Sequence, residues 1–148
     1  MKSRKNKNID KNALKIAQDI RIRFNETDAL GIVWHGNYLR YFEDGREAFG
    51  RKHGLSYLDV KAKGYVTPII KSSCEHKLPL QYGETATVEA TFINTAAAKI
   101  IFSYKITNAN KQIVCTGETI QVFLDNNNDL SLTLPPFFKK WKENNGLI

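Results

Sequence analysis

Asp28 stands seven positions before His35 in the run Asp28-Ala29-Leu30-Gly31-Ile32-Val33-Trp34-His35-Gly36-Asn37-Tyr38. A carboxylate close to a histidine that opens a helix can do chemistry. The carboxylate can attack a carbonyl carbon or take a proton from water. The helix start offers unpaired N–H groups and a partial positive charge, which attract a developing oxyanion. An isolated aspartate in a loop is more commonly a turn-former or cap, so the residues around it must decide.

Those residues supply the elements that would hold the pair in place. Ile20, Ile22 and Phe24 alternate with Arg21 and Arg23, the period-2 signature of a half-buried strand, which sets Asp28 just past a strand end. Tyr38, Tyr41, Phe42, Gly45 and Phe49 recur at helical spacing, with Arg40, Glu43, Arg46 and Glu47 on the opposite face. That spacing predicts one helix of about four turns. Gly36-Asn37 is a plausible cap for it.

The second half reads differently. After a connection from Gly50 to Gly64, with a short helical turn expected at Ser56–Ala62, the segment Tyr65–Pro79 is mostly β-forming. Thr85–Ile93 buries Ala86, Val88, Ala90 and Phe92 by strict alternation, and Lys99–Thr107 repeats the pattern with Ile100, Phe102, Tyr104 and Ile106. Asn108–Lys111 reads as a hairpin turn into a strand over Ile113–Leu124. Leu134–Trp141 reads as a short capping helix whose aromatics pack against the body. One long amphipathic helix laid across an antiparallel sheet of about five strands is an α+β layer architecture.

Composition narrows the class. The chain has 148 residues, 42% hydrophobic and 11% aromatic, which suits a single globular domain and leaves no room for a separate cofactor domain. We expect a basic, flexible N-terminal tail over 1–18 and one domain over 19–148. Lys and Arg number 22 against 15 acidic residues, a net +7. Lys2, Arg4, Lys5, Lys7 and Lys11 against Asp10 put +4 of that in the tail, and the mildly basic remainder suits an anionic small molecule as well as a polynucleotide. No nucleic-acid motif accompanies it. No apolar run approaches the roughly 18 residues of a membrane span, and no secretory signal pattern follows the basic start, so the cytoplasm is the expected location. Cys74 and Cys115, far apart and outside any Cys-x-x-Cys pair, read as reduced, half-buried small hydrophobes. The three histidines have no metal-ligand spacing. Neither a metal nor a cofactor is expected.

From Ile22 to Phe49 the chain resembles the hotdog-fold acyl-CoA thioesterases, in the branch that includes 4-hydroxybenzoyl-CoA thioesterase and the Tol-Pal-associated thioesterases. The matching residues are the Asp-x-x-Gly-Ile-Val-Trp-His-x-Asn-Tyr core, a preceding Phe, and Tyr41-Phe42-Glu43 with Arg46 on the helix. The similarity continues more weakly to about residue 125, through Val66–Ile70 and Pro79–Glu84. It implies a sheet wrapped around the central helix, a homodimer or dimer of dimers with the active site between subunits, and acyl-CoA, or an acyl-carrier protein, as substrate.

Carried over by position, the resemblance makes Asp28 the nucleophile or general base and the backbone N–H of His35 the polariser of the thioester carbonyl. The His35 ring matches the Tol-Pal branch and either positions water or the carbonyl, or else caps the helix or lines the pocket. Trp34 matches the hydroxybenzoyl branch. Tyr38 and Thr67 are candidate pocket liners, Thr67 from across the dimer, and Lys99 is the nearest match to a coenzyme A contact. Another hotdog branch uses a helix-borne glutamate as its catalytic carboxylate, which brings Glu43, eight residues beyond His35, into consideration, but a structural ion pair is the expected role. His53 and His76 read as surface or packed histidines. Two rival functions share these features. A 3-hydroxyacyl dehydratase would pair His35 with Glu43 and leave Asp28 idle, and a non-catalytic acyl-CoA-binding protein would release no thiol.

Overall fold

The computed structural model describes residues 13–148; the basic segment ending at residue 11 lies outside them. Five strands form one antiparallel sheet: β1 (Lys15–Arg21), β2 (Ile69–His76), β3 (Thr85–Ile93), β4 (Lys99–Thr107) and β5 (Ile113–Val122). Their order is β1-β3-β4-β5-β2, so β1 and β2 are the two edges. The long helix α1 (Tyr38–His53) lies against the sheet, followed by α2 (Tyr57–Ala62), and α3 (Pro136–Asn144) closes the chain. This is the hotdog arrangement.

Side-chain alternation builds the contact between layers. Ala86, Val88, Ala90 and Phe92 on β3 and Ile100, Phe102, Tyr104 and Ile106 on β4 are buried, their neighbours less so. The register sets Val88 opposite Ile106 and Ala90 opposite Tyr104. Tyr38, Tyr41, Phe42, Gly45 and Phe49 of α1 all face this layer and are buried. Phe42 stacks on Tyr104 with ring centroids 4.5 Å apart and planes 8° from parallel. Fully burying each such ring contributes on the order of 1.5–3 kcal/mol.

Two glycines permit the close approach. A Cβ on Gly45 would sit 3.1 Å from Val88, and one on Gly117 of β5 would overlap the Phe42 ring and the Ser73 carbonyl. The helix ends at Gly54, whose φ of 73° is the left-handed conformation that suits a glycine at this position and whose N–H bonds to the Gly50 carbonyl. Ser56 then caps α2, accepting from the Asp59 N–H while the Asp59 carboxylate accepts from the Ser56 N–H, a reciprocal capping box.

Several expectations need correction. The strand expected around Ile20–Phe24 begins at Lys15 and ends at Arg21, so the boundary drawn at residue 18 falls inside β1. Ile20 and Ile22 are buried as the alternation implies, but Phe24 is 76% exposed because a 3-10 turn over Phe24–Glu26 breaks the period. The C-terminal segment does form a helix that packs its aromatics inward: Phe138 is fully buried and the Trp141 indole N–H donates to the His53 carbonyl at 2.7 Å. Among the described residues, no helix is long and apolar enough to cross a membrane.

Candidate active site

Asp28 lies in a tight loop between two short pairings. Thr27 bridges to Val33, the Asp28 N–H donates to the Ile32 carbonyl at 2.8 Å, and the Gly31 N–H returns to the Asp28 carbonyl at 3.0 Å. The φ of 77° at Gly31 is the left-handed conformation the turn requires. The Asp28 Oδ1 accepts the Leu30 N–H at 2.8 Å. One carboxylate oxygen therefore fixes the side chain in a turn, while Oδ2 has no hydrogen bond among the described residues. The half-buried carboxylate thus combines the turn-forming role with an available oxygen.

The helix entrance is tied to the same loop. The Trp34 N–H donates to the Glu26 carbonyl at 3.0 Å, and the Asn37 Nδ2 donates to that same carbonyl at 2.8 Å. Asn37 therefore does not cap α1 with its side chain, as the sequence suggested; it is buried and clamps the helix start to the chain preceding Asp28. A 3-10 turn over His35–Asn37 leads into α1, which leaves the His35 and Gly36 N–H groups without helical partners. No acidic residue occupies the first turn of α1, and Arg51, Lys52 and His53 occupy its last. The positive end of the helix dipole is therefore uncompensated at the entrance.

The side chains at this entrance are unequal. Trp34 is 51% exposed and its ring lies 5.1 Å from that of His35. The indole covers Gly36 so closely that any Cβ there would overlap it. His35 is exposed. Tyr38 is buried, and that burial pushes its phenol up to about 12. Its ring meets His76 at 4.9 Å, and His35 meets His76 at 6.4 Å. These neighbours of His76 could not be read from the sequence, since β2 is remote in the chain from α1. Cys74 and Cys115 also meet here, with sulfurs 3.1 Å apart and Cys74 Sγ 4.0 Å from His76 Nδ1. Burial pushes both thiols up. His53, by contrast, packs its ring on Phe49 at 4.5 Å.

Thr67 and Lys99 lie elsewhere. Thr67 lines a cavity of about 550 Å³ between α1, α2 and the sheet, together with Glu43, Arg46, Tyr57, Ile69 and Gln121. The Gln121 amide donates to the Thr67 carbonyl at 2.8 Å and approaches its hydroxyl at 3.2 Å. Neither Asp28, His35 nor Lys99 lines this cavity. Lys99 begins β4, half-buried, its N–H bonded to the Ala97 carbonyl at 2.8 Å. Glu43 makes no ion pair among the described residues, contrary to expectation. Arg46 instead donates to the Tyr104 hydroxyl at 3.2 Å, and that hydroxyl also bonds Thr119.

A long helix laid against one antiparallel sheet, with the Asp28 loop tied to the helix entrance, is a hotdog arrangement. Residues 22–142 match the thioesterase-like superfamily, and the chain belongs to that family. It is 31% identical over 124 residues to the Bacillus subtilis protein named "Putative acyl-CoA thioesterase YneP", covering 84% of this chain and 90% of that one. It is 23% identical over 106 residues to the acyl-CoA thioester hydrolase YbgC of Escherichia coli O157:H7, covering 72% and 79%. Among solved structures, the DHNA-CoA thioesterase of Staphylococcus aureus superposes with a TM-score of 0.79 at 26% identity, over 87% of each chain.

Proposed function

We propose that this protein hydrolyses acyl-CoA thioesters, with Asp28 as the catalytic carboxylate. The observation that carries the reading is the shared anchoring of Asp28 and the helix entrance: the Asp28–Ile32 and Trp34–Glu26 backbone bonds fix both within one hairpin. The free Asp28 oxygen either attacks the thioester carbonyl, giving a mixed anhydride that water then opens, or takes a proton from the attacking water. The His35 N–H, at the positive end of the helix, stabilises the oxyanion that forms in either case. The expelled coenzyme A thiolate takes up a proton, and the free acid leaves.

The site is completed by a second copy of the chain. Thr67 and its cavity stand apart from Asp28 within one subunit, so a substrate that meets both does so across a dimer. β2 is an edge strand with exposed Ile69 and Ile70, and unpaired edges of this kind seek cover. The protein is then a cytoplasmic homodimer or dimer of dimers, with Trp34 and Tyr38 beside the reacting group and Lys99 toward coenzyme A.

The test is thiol release from a panel of short, long and aromatic acyl-CoAs. Wild type is expected to turn over at least one class, and Asp28→Asn is expected to lose about 100-fold or more in kcat. Asparagine retains the Oδ1 that accepts the Leu30 N–H, so the loop survives the substitution. Full activity in Asp28→Asn, or no thiol from any substrate with wild type, overturns the assignment.

A further inference from the structure

Cys74 and His76 are two apart on β2 and therefore share a face of the sheet. Antiparallel pairing sets Cys74 opposite Gly117 and His76 opposite Cys115 on β5. Since Gly117 abuts Phe42 and His76 abuts Tyr38, this shared face is the one that meets α1. The Cys74 Sγ, Cys115 Sγ and His76 ring nitrogen all lie within 4.8 Å of one another. Two cysteines and one histidine converge at one corner of the fold, and the hydrolytic chemistry uses none of them.

We propose that Cys74, Cys115 and His76 bind a thiophilic divalent cation, zinc, as a three-residue site open to solvent at its fourth position. Tetrahedral zinc with bonds of about 2.3 Å to sulfur and about 2.0 Å to nitrogen sets two sulfurs roughly 3.8 Å apart and a sulfur and a nitrogen roughly 3.5 Å apart. To reach that spacing the sulfurs, now 3.1 Å apart, separate by about 0.7 Å, and Cys74 Sγ and His76 Nδ1, now 4.0 Å apart, close by about 0.5 Å. Small side-chain rotations suffice to reach it.

A disulfide fits this corner less well. Cys74 and Cys115 are diagonal rather than directly opposed, and diagonal neighbours in an antiparallel pair stand roughly 7–8 Å apart. A disulfide prefers Cα atoms at about 4.4–6.8 Å, closer than that general diagonal spacing, and sulfurs at about 2.0 Å, whereas these sulfurs stand 3.1 Å apart. It would also leave the convergence of His76 unexplained. The burial gradient suits entry of an ion from solvent, with Cys115 buried, Cys74 half-buried and His76 exposed. Coordination releases the two thiol protons to solvent and involves no electron transfer. Its effect would be to fasten edge strand β2 to β5 beneath the start of α1.

The full-length protein, reduced and freed of metal with a chelator, is titrated with cobalt(II) as a spectroscopic stand-in and then with zinc. One cobalt per chain is expected, with a thiolate-to-cobalt charge-transfer band and the visible absorption of a tetrahedral site, both erased by zinc. Zinc is expected to raise Tm by several degrees. His76→Ala changes an exposed side chain and preserves the fold. It should weaken binding by roughly 100-fold or more, beyond the about 10–100-fold typical of outer-shell changes. Cys115→Ser should abolish the charge-transfer band. A wild-type protein that gives no such band, or a His76→Ala variant that binds as tightly as wild type, overturns the proposal. So does a Cys74–Cys115 disulfide, seen as a loss of two hydrogens in protein purified without reductant, if no metal uptake follows its reduction.

Discussion

At the scale of single residues, the entrance to α1 separates two contributions from His35. Its backbone N–H lies at the uncompensated positive end of the helix, whereas its ring is exposed beside Trp34. We therefore expect His35→Ala to retain thioesterase activity within about tenfold, while His35→Pro, which deletes the N–H, loses about 100–1,000-fold. Proline is tolerated at a first helical position, where the N–H has no helical partner. Circular dichroism of both variants, alongside kcat, checks that the loss is chemical; equal losses in the two would place the function in the ring instead. The nearness of the Asp28 loop to the helix entrance was legible in the sequence because the two are joined by a short stretch of chain. The Asn37 role was not, since a cap and a clamp use the same residue type and only the fold shows that its amide reaches the Glu26 carbonyl.

At the scale of elements, periodicity located α1 and gave β3 and β4 their observed limits, because each has one buried face and a clean repeat. It failed at Phe24, where a turn interrupts the alternation, and at the start of β1, where exposed residues continue a strand that only pairing with β3 reveals. The convergence of Cys74, His76 and Cys115 was invisible for the same reason: β2 pairs with β5, its neighbour in space and not in sequence. Gly117 offers a test of how closely helix and sheet are fitted. Gly117→Ala places a methyl into the Phe42 ring and the Ser73 carbonyl, and is expected to destabilise the fold by about 1–3 kcal/mol. Urea denaturation should show a lower midpoint with an unchanged slope, and an unshifted midpoint would mean that the layers can separate without cost.

At the scale of the molecule, the two unpaired edge strands, β1 and β2, bear on assembly. Sedimentation is expected to give a dimer or tetramer, and Ile70→Lys, which charges an exposed apolar position of edge strand β2, is expected to shift it toward monomer with activity falling in parallel. A fully active monomer would show that one subunit contains everything the reaction needs. The contact between Phe42 and Gly117 bears on how such an assembly works. A ring seated in a notch of the sheet acts as a key: it stops the helix from sliding along its axis or rolling about it. Phe42 lies one turn beyond Tyr38, so the lock sits close to the helix entrance beside the Asp28 loop. Glu43 and Arg46, which line the cavity with Thr67, follow directly after Phe42 on the helix, so the same lock holds that wall as well. Entrance and cavity wall are thereby registered to one point on the sheet, and a shift at that point would move both together.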